Sequence, residues 1–375
     1  MERSKVYFTD FRSTNGIDMP SKLKRLIRMA GIDKIDFEGK FVAIKMHFGE
    51  PGNVSFLRPN YARAVADVIR ELGGRPFLTD CNTLYLGYRK NALDHIDAAQ
   101  LNGFNEQTTG CHVIIADGLR GTDEALVPVK NGELVKEAKV GRALMDADIV
   151  VSLTHFKGHE MAGFGGAIKN IGMGGGSRAG KMEQHSHGTP YVDQEKCRGC
   201  KQCQKHCGQN AISYGPDRKA HIDPELCAGC GRCIGNCNFD AIRAKEDIAL
   251  LDLGRKMAEY TQAIVQDRPN FHISLIMDVS PCCDCCSWND APIIPNIGML
   301  ASFDPVALDQ ACLDLSCKVA ANKNSVLGEN MAKPDFVDYG DPFTNTEPSV
   351  EWKGTLAHGE KIGLGTREYE LVTMK

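Results

Sequence analysis

Sixteen cysteines stand out in this 375-residue chain, and eight of them repeat one spacing. The first set is Cys197, Cys200, Cys203 and Cys207; the second is Cys227, Cys230, Cys233 and Cys237. Three cysteines at three-residue steps can wrap one face of an iron–sulfur cubane. The fourth is held out of reach and ligates the neighbouring cluster. The spacing therefore predicts two interlocked [4Fe-4S] clusters. Cys197, Cys200, Cys203 and Cys237 would hold one; Cys227, Cys230, Cys233 and Cys207 would hold the other. A zinc site takes four ligands, commonly as two Cys-x2-Cys pairs. It has no use for third and fourth cysteines at these offsets, twice over. Gly208 and Asn238 stand where a proline usually follows the fourth cysteine, but that proline is not a ligand. Cluster potentials span roughly −700 to +450 mV, so the spacing does not set the direction of electron flow.

Four more cysteines crowd together as Cys282, Cys283, Cys285 and Cys286. Soft thiolates select zinc, copper(I) or iron–sulfur sites, although adjacent cysteines need a turn to aim at one metal. An additional metal or cluster with His ligands is one reading of this group. Thiol redox chemistry or a reactive nucleophile is another, and a structural role is the third. Cys312 shares the apolar face of its helix and reads as core. Cys81, Cys111 and Cys317 read as structural.

These groups need a scaffold to position them. Residues 41–46, 76–79, 113–116, 149–153 and 273–277 are short apolar runs that read as strands. Residues 57–72 and 247–265 read as helices, the first with Pro59 in its opening turn. Asp304 and Pro305 read as the N-cap and first residue of another helix, and 370–372 as a short strand. Strands alternating with helices predict an α/β fold with a largely parallel sheet and helices on both faces. Ten glycines fall within residues 158–188, which predicts a loop there. Residues 190–245 hold the cysteine repeat and read as an inserted α+β ferredoxin-like module. It divides the α/β domain into parts at 1–189 and 246–375.

In an open parallel sheet, ligands bind beyond the carboxyl ends of the strands. His47, Asp80 with Cys81, and Asp117 each follow a predicted strand. So do His155, Lys157 and His159, and so does the Cys282–Cys286 group. Parallel strands would bring all of them to one edge. The run Gly175 to Lys181 nearly fits a phosphate-binding loop, but Met182 replaces the Ser/Thr that should reach magnesium. The glycines read better as letting the backbone pass close to a ligand or to the clusters.

Several segments resemble the DUF362 family, whose members often hold a ferredoxin module. They are Lys45 to Glu50, Asp80 to Gly87, Thr154 to His159, Gly163 to Asn170, Cys283 to Cys285, and Ser302 to Asp309. The resemblance implies the family and says little about the reaction. A shorter stretch, His159 to Lys169 with His185 and His187 following, is similar to one in nickel-pincer lactate racemases. There a matching His, a matching Lys and a later His handle cofactor or substrate. The positional matches here are His159, Lys169 and His185, and His185 and His187 join the candidate metal ligands.

The chain carries 44 Lys/Arg against 48 Asp/Glu, a net −4. That gives no pull toward nucleic acid or an anionic membrane. No apolar run approaches the ~20 residues of a membrane helix, and no export signal is visible. A cytoplasmic protein is expected, which also suits oxygen-sensitive clusters. Three functions remain open. The first is an oxidoreductase whose clusters feed electrons to a site at the sheet edge, with His47, His155, Lys157, His159 and Lys169 as candidate catalytic residues. The second is a non-catalytic electron carrier or accessory subunit. The third is a carbon-acid enzyme of racemase type, with His159 as base and Lys169 as charge stabiliser. No flavin or nicotinamide fingerprint is present. The expected partners are a ferredoxin or flavoprotein, or a small-molecule substrate.

Overall fold

Eight strands build the central sheet of the computed structural model, which describes residues 3–13, 16–85, 87–185, 189–245 and 248–374. They are β1 (Ser4–Asp10), β2 (Phe41–Lys45), β3 (Arg75–Asp80), β4 (Val113–Ile115), β5 (Ile149–His155), β6 (Asn270–Ile276), β7 (Gly298–Ser302) and β8 (Tyr369–Thr373). The order across the sheet is β8-β1-β7-β6-β5-β2-β3-β4. Only β7 runs against the rest, pairing antiparallel with β1 and β6. The stretch β6-β5-β2-β3-β4 is parallel throughout, as the alternating pattern predicts.

Helices cover both faces. The labelled ones are α1 (Met19–Met29), α2 (Pro59–Glu71), α3 (Ala92–Leu101), α4 (Ala167–Gly175), α5 (Arg178–His185), α6 (Leu250–Val265), α7 (Pro305–Ser316) and α8 (Lys353–Lys361). Along β2, Val42 and Ile44 pack with α1 and α2, whereas Ala43 faces the core shared by α4, α6, α7 and α8. Every residue of β5 is buried, which is what a parallel strand covered on both sides requires. The expected cap is present at α7: Asp304 accepts hydrogen bonds from Val306 N and Ala307 N, both at 2.9 Å.

The glycine-rich stretch is not a loop. It forms a short hairpin, Lys157–His159 against Gly163–Gly165, followed by α4 and α5. The glycines serve close packing. A Cβ at Gly172 would sit 2.1 Å from Met257 O on α6, and one at Gly175 would sit 2.6 Å from the Ile264 side chain. The helix tolerates the weak propensity of glycine because α6 crosses it so closely. Both ends of α4 are also satisfied from outside. Asp309 on α7 accepts from Ala167 N (2.6 Å) and Ile168 N (3.0 Å). Lys181 Nζ donates to Gly176 O at 2.6 Å and to Gly174 O at 3.4 Å. The lysine of the phosphate-loop-like run thus faces backbone carbonyls.

Residues between β5 and β6 include a pseudo-symmetric unit. Strand Tyr191–Val192 pairs with Ile242–Arg243, and Ile212–Tyr214 pairs with Ala220–Ile222. One-turn helices, Gln202–Lys205 and Arg232–Gly235, follow the same step in each half. Left-handed backbone recurs at matched positions: Gly199 and Gly229, Lys201 and Gly231, Asn210 and Asp240.

Candidate functional site

The parallel strands β2, β3, β5 and β6 end on one side of the sheet, and a cavity of about 880 Å³ opens there. His47, Asp80, Cys81, His155, Lys157, His159, Lys169, His185, Cys283, Cys285 and Cys286 all line it. Asp117 lies elsewhere, accepting from Asn82 N (2.9 Å) and Asn82 Nδ2 (2.8 Å), and burial pushes its carboxyl up to about 6. Cys282 does not reach the cavity and its N–H turns to Asn289 Oδ1. His187 lies outside the described residues.

Two buried ion-pair networks hold the floor. Lys45 Nζ lies 2.9 Å from Asp80 Oδ1 and donates to Asn170 Oδ1 on α4 at 3.0 Å. Burial works to raise the Asp80 pKa, but Lys45 and the surrounding His95, His47 and Lys181 together outweigh it and hold the carboxyl well below the usual range. Arg89 Nε donates to Glu50 Oε2 at 2.8 Å, and its guanidinium reaches the Tyr85 hydroxyl at 2.6 Å. Removing one partner of such a buried pair costs far more than the intact pair contributes.

The cysteine group stands on a separate set of buried charges. Asp284 is fully buried and sits 2.9 Å from His155 Nδ1 through both oxygens, with Lys157 Nζ at 3.4 Å. His155 Nε2 meets Met277 O at 2.7 Å. Both ring nitrogens are thus engaged, and neither is left facing the cavity. Glu50 N donates to Asp284 O at 2.9 Å, which ties the loop to the β2 side.

The flanking Cys283 is buried, with Lys169 Nζ 3.6 Å from its sulfur. A hydrogen bond from the Cys285 thiol holds the Cys283 pKa well down against burial, helped by Lys169, Lys157 and His159. Cys285 moves the opposite way, as the donor to Cys283 and partner of Cys286. The Tyr85 hydroxyl also bonds to Cys285, and burial raises its pKa. Among the described residues, Glu160, Cys285 and Cys286 bring three possible ligand atoms within 4.8 Å of one another.

The imidazoles of the cavity are oriented by backbone groups. Gly49 N donates to His47 Nδ1 at 2.9 Å. Met161 N and Ala162 N both donate to His159 Nδ1 at 3.1 Å. His185 Nδ1 instead meets the Lys181 carbonyl at 3.0 Å. Burial pushes the His47 pKa down to about 3 and that of His185 to about 4.

Beside this cavity, Cys197, Cys200, Cys203 and Cys237 line a small pocket of their own with Tyr214 and Ile242. The Cys227 thiol lies within electrostatic reach of Cys230 and Cys207. Backbone N–H groups point at three of the sulfurs: Ala220 at Cys197 and Ala211 at Cys207, both at 3.4 Å, and Ala241 at Cys237 at 3.3 Å. Arg178 on α5 joins this unit to the sheet. It donates to Thr83 O (2.9 Å), Lys90 O (2.5 Å) and Arg120 O (3.0 Å), while Gly231 and Gly235 pack against its side chain.

Sequence reasoning did not single out Lys45, Glu50, Tyr85, Arg89 or Glu160, and it weighed Lys181 only as part of a phosphate-loop-like run. Lys45, Glu50 and Tyr85 lie inside the segments that carry the family resemblance, and Arg89 lies two residues past one. Their density of chemistry-bearing residues was the available signal.

The model of a family described as "Domain of unknown function (DUF362)" matches residues 42–314. No curated protein matches the chain. Among solved structures, the lactate racemase apoprotein from Thermoanaerobacterium thermosaccharolyticum is similar at 13% identity and a TM-score of 0.35. That match covers 68% of this chain and 49% of the other. A protein from Thermotoga maritima is similar at 12% identity and a TM-score of 0.39, covering 78% of this chain and 57% of its own. The chain spans about half the length of these two solved chains, and likenesses this distant transfer no residue roles.

Proposed function

We propose that this chain, which belongs to the DUF362 family, is an iron–sulfur oxidoreductase working at the cavity above β2, β3, β5 and β6. In this reading residues 190–245 are an inserted ferredoxin-type module between the two parts of the α/β domain, 1–189 and 246–375. Cys197, Cys200, Cys203 and Cys237 hold one [4Fe-4S] cluster, and Cys227, Cys230, Cys233 and Cys207 hold the other. The donor set fits the group: the first four line a common pocket, and backbone N–H groups aim at the sulfurs, the contacts that tune cluster potential. The clusters supply single electrons.

The observation that carries the reading is the position of Ile242. Ile242 lines both the four-cysteine pocket and the large cavity, so a cluster held by those four cysteines would lie beside the place of use. The cavity wall contributes Lys157, Lys169, His47 and His159 as donors, with His155 positioning Asp284. A redox protein, ferredoxin or flavoprotein, would exchange electrons with the module, and a small molecule would enter the cavity.

Purified anaerobically, the protein is expected to carry about eight iron and eight labile sulfide, and a Cys237→Ser variant to lose one cluster's share. Iron without sulfide, or zinc in its place, would defeat the reading. A second metal site is favoured by the closeness of Glu160, Cys285 and Cys286. If it is loaded, one further metal ion should disappear in a Cys285→Ser/Cys286→Ser variant that keeps its iron and sulfide.

A further inference from the structure

Five Tyr and Trp side chains are exposed among the described residues, and four of them line the cavity: Tyr85, Tyr88, Tyr191 and Trp288. The fifth, Tyr339, does not. Lining the cavity while open to solvent puts the four at its mouth. Exposed apolar groups scattered singly need no explanation, but a set gathered round one opening marks a binding site. The four come from three separate segments. Tyr85 and Tyr88 follow β3, Trp288 follows the cysteine loop, and Tyr191 belongs to the cysteine-rich unit.

Each segment is fixed by contacts that leave the rings alone. The Tyr85 hydroxyl turns inward to Arg89 at 2.6 Å and to Cys285. Tyr88 N donates to Glu50 Oε1 at 2.6 Å, and a Cβ at Gly87 would sit 2.5 Å from that same oxygen. A Cβ at Gly52 would sit 2.8 Å from Ser287 O, and Asn53 Nδ2 donates to Cys286 O at 2.9 Å, so the chain leading to Trp288 lies tight on this turn. Tyr191 stands directly across from Arg243 in its two-stranded ribbon, which puts both side chains on one face. Among the described residues none of the four rings packs on another ring. Their faces are not spent on one another.

The cavity is also positive. Seven Lys/Arg side chains line it against three carboxylates among the described residues, and Asp80 and Glu50 already face Lys45 and Arg89. Arg243 lines it beside Tyr191, and its Nε is buried with no hydrogen-bond partner. The Asp193 carboxylate lies 3.9 Å from a terminal nitrogen of Arg243, beyond hydrogen-bond reach. An unmade bond at a buried donor costs stability, and an anionic group on a ligand would supply it.

From these observations we infer that the cavity mouth binds a planar conjugated ring carrying an anionic group, with the ring on Tyr85, Tyr88, Tyr191 and Trp288 and the charge against Arg243. The inference deepens the reading above and rests on it for calling that molecule the redox substrate. A conjugated ring suits a module that exchanges single electrons, because delocalisation stabilises the form with one electron added. The ring gains one electron as the module loses one, and the redox partner replaces it.

Calorimetric titration of the anaerobically purified full chain tests this with three probes: phenyl phosphate, cyclohexyl phosphate and phenol. Phenyl phosphate should bind at one site, roughly tenfold more tightly than either of the others, since one lacks the aromatic faces and the other the charge. Trp288→Leu should erase most of the preference over cyclohexyl phosphate, and Arg243→Gln most of the preference over phenol. Thermal melts of both variants should stay close to wild type, which separates lost binding from lost fold. Equal affinity for phenyl and cyclohexyl phosphate, or a preference that survives Trp288→Leu, would overturn the inference. Iron and sulfide counts on the same sample judge the oxidoreductase reading separately. A protein that prefers phenyl phosphate but holds no iron would keep this binding site and lose that reading.

Discussion

Replacing Asp284 with Asn keeps the shape of the side chain and removes its charge. Asp284 is the shared acceptor for His155, through both oxygens at 2.9 Å, and for Lys157 at 3.4 Å, and it has no exposure to solvent. Asp284→Asn leaves two buried donors without a counter-charge, a change that costs about 3–5 kcal/mol. Unfolding entropy of about 2.1 cal/mol/K per residue gives roughly 0.8 kcal/mol/K for this chain, so Tm should fall by about 4–6 °C. Calorimetry would measure it, with Asp267→Asn as a control. That residue pairs with Lys130 at an exposed site, where a shift within about 1 °C is expected. Burial works to raise the Asp284 pKa, but His155 and Lys157 together outweigh it and leave the carboxyl depressed. Its contribution is therefore present above about pH 4 and is lost as pH falls toward the folded-state value. The gap between the two proteins should be constant from about pH 5 upward and close in acid. Amide exchange at Glu50, whose N–H donates to Asp284 O, should accelerate in the variant. A Tm loss no larger than that of the control would refute the claim that this carboxylate anchors the cysteine loop.

Arg178→Met should loosen the cysteine-rich unit, because it leaves the carbonyls of Thr83, Lys90 and Arg120 without their donor. A loss of about 3 kcal/mol of local stability would raise hydrogen exchange across 197–237 by roughly a hundredfold, with little change in β5 or β6. Gly172→Ala should cost about 1–3 kcal/mol in a thermal melt, since the new methyl would meet Met257 O at 2.1 Å across α4 and α6. Burial raises the Asp309 carboxyl to about 7, so its stabilising contribution is full below about pH 4 and lost as pH rises through 7. Between those limits the wild type should lose on the order of 4 kcal/mol relative to Asp309→Asn, read as the difference between their pH–stability curves.

The parallel half of the sheet was legible because β2, β5 and β6 are apolar runs buried on both faces, and such runs betray themselves by composition alone. β1 and β7 were missed. β1 has only two buried positions, Val6 and Thr9, and they lie on opposite faces, so no alternating apolar face marks it; β7 is only five residues long and opens on a glycine. The glycine-rich stretch misled for a physical reason. Glycine lowers helix propensity, but here its missing side chain lets α6 come close, a tertiary gain that local pattern cannot report. The site was legible as a place and not as a set of roles. Placing His47, His155 and His159 after strands was enough to bring them to one cavity. How the rings of His47, His159 and His185 are oriented depends on Gly49 N, Met161 N and the Lys181 carbonyl. Those are backbone contacts that no spacing encodes. The pairing of Glu160 with Cys285 and Cys286 is likewise tertiary, since 125 residues separate Glu160 from Cys285.

The central claim is that two clusters stand in the module and that one of them lies next to the cavity. An anaerobic crystal structure with anomalous scattering measured at the iron edge tests it most directly. Two four-iron peaks are expected. One should sit among Cys197, Cys200, Cys203 and Cys237 on the far side of Ile242 from the cavity, the other among Cys227, Cys230, Cys233 and Cys207. Single metal ions at those cysteines, or disulfides between them, would contradict it.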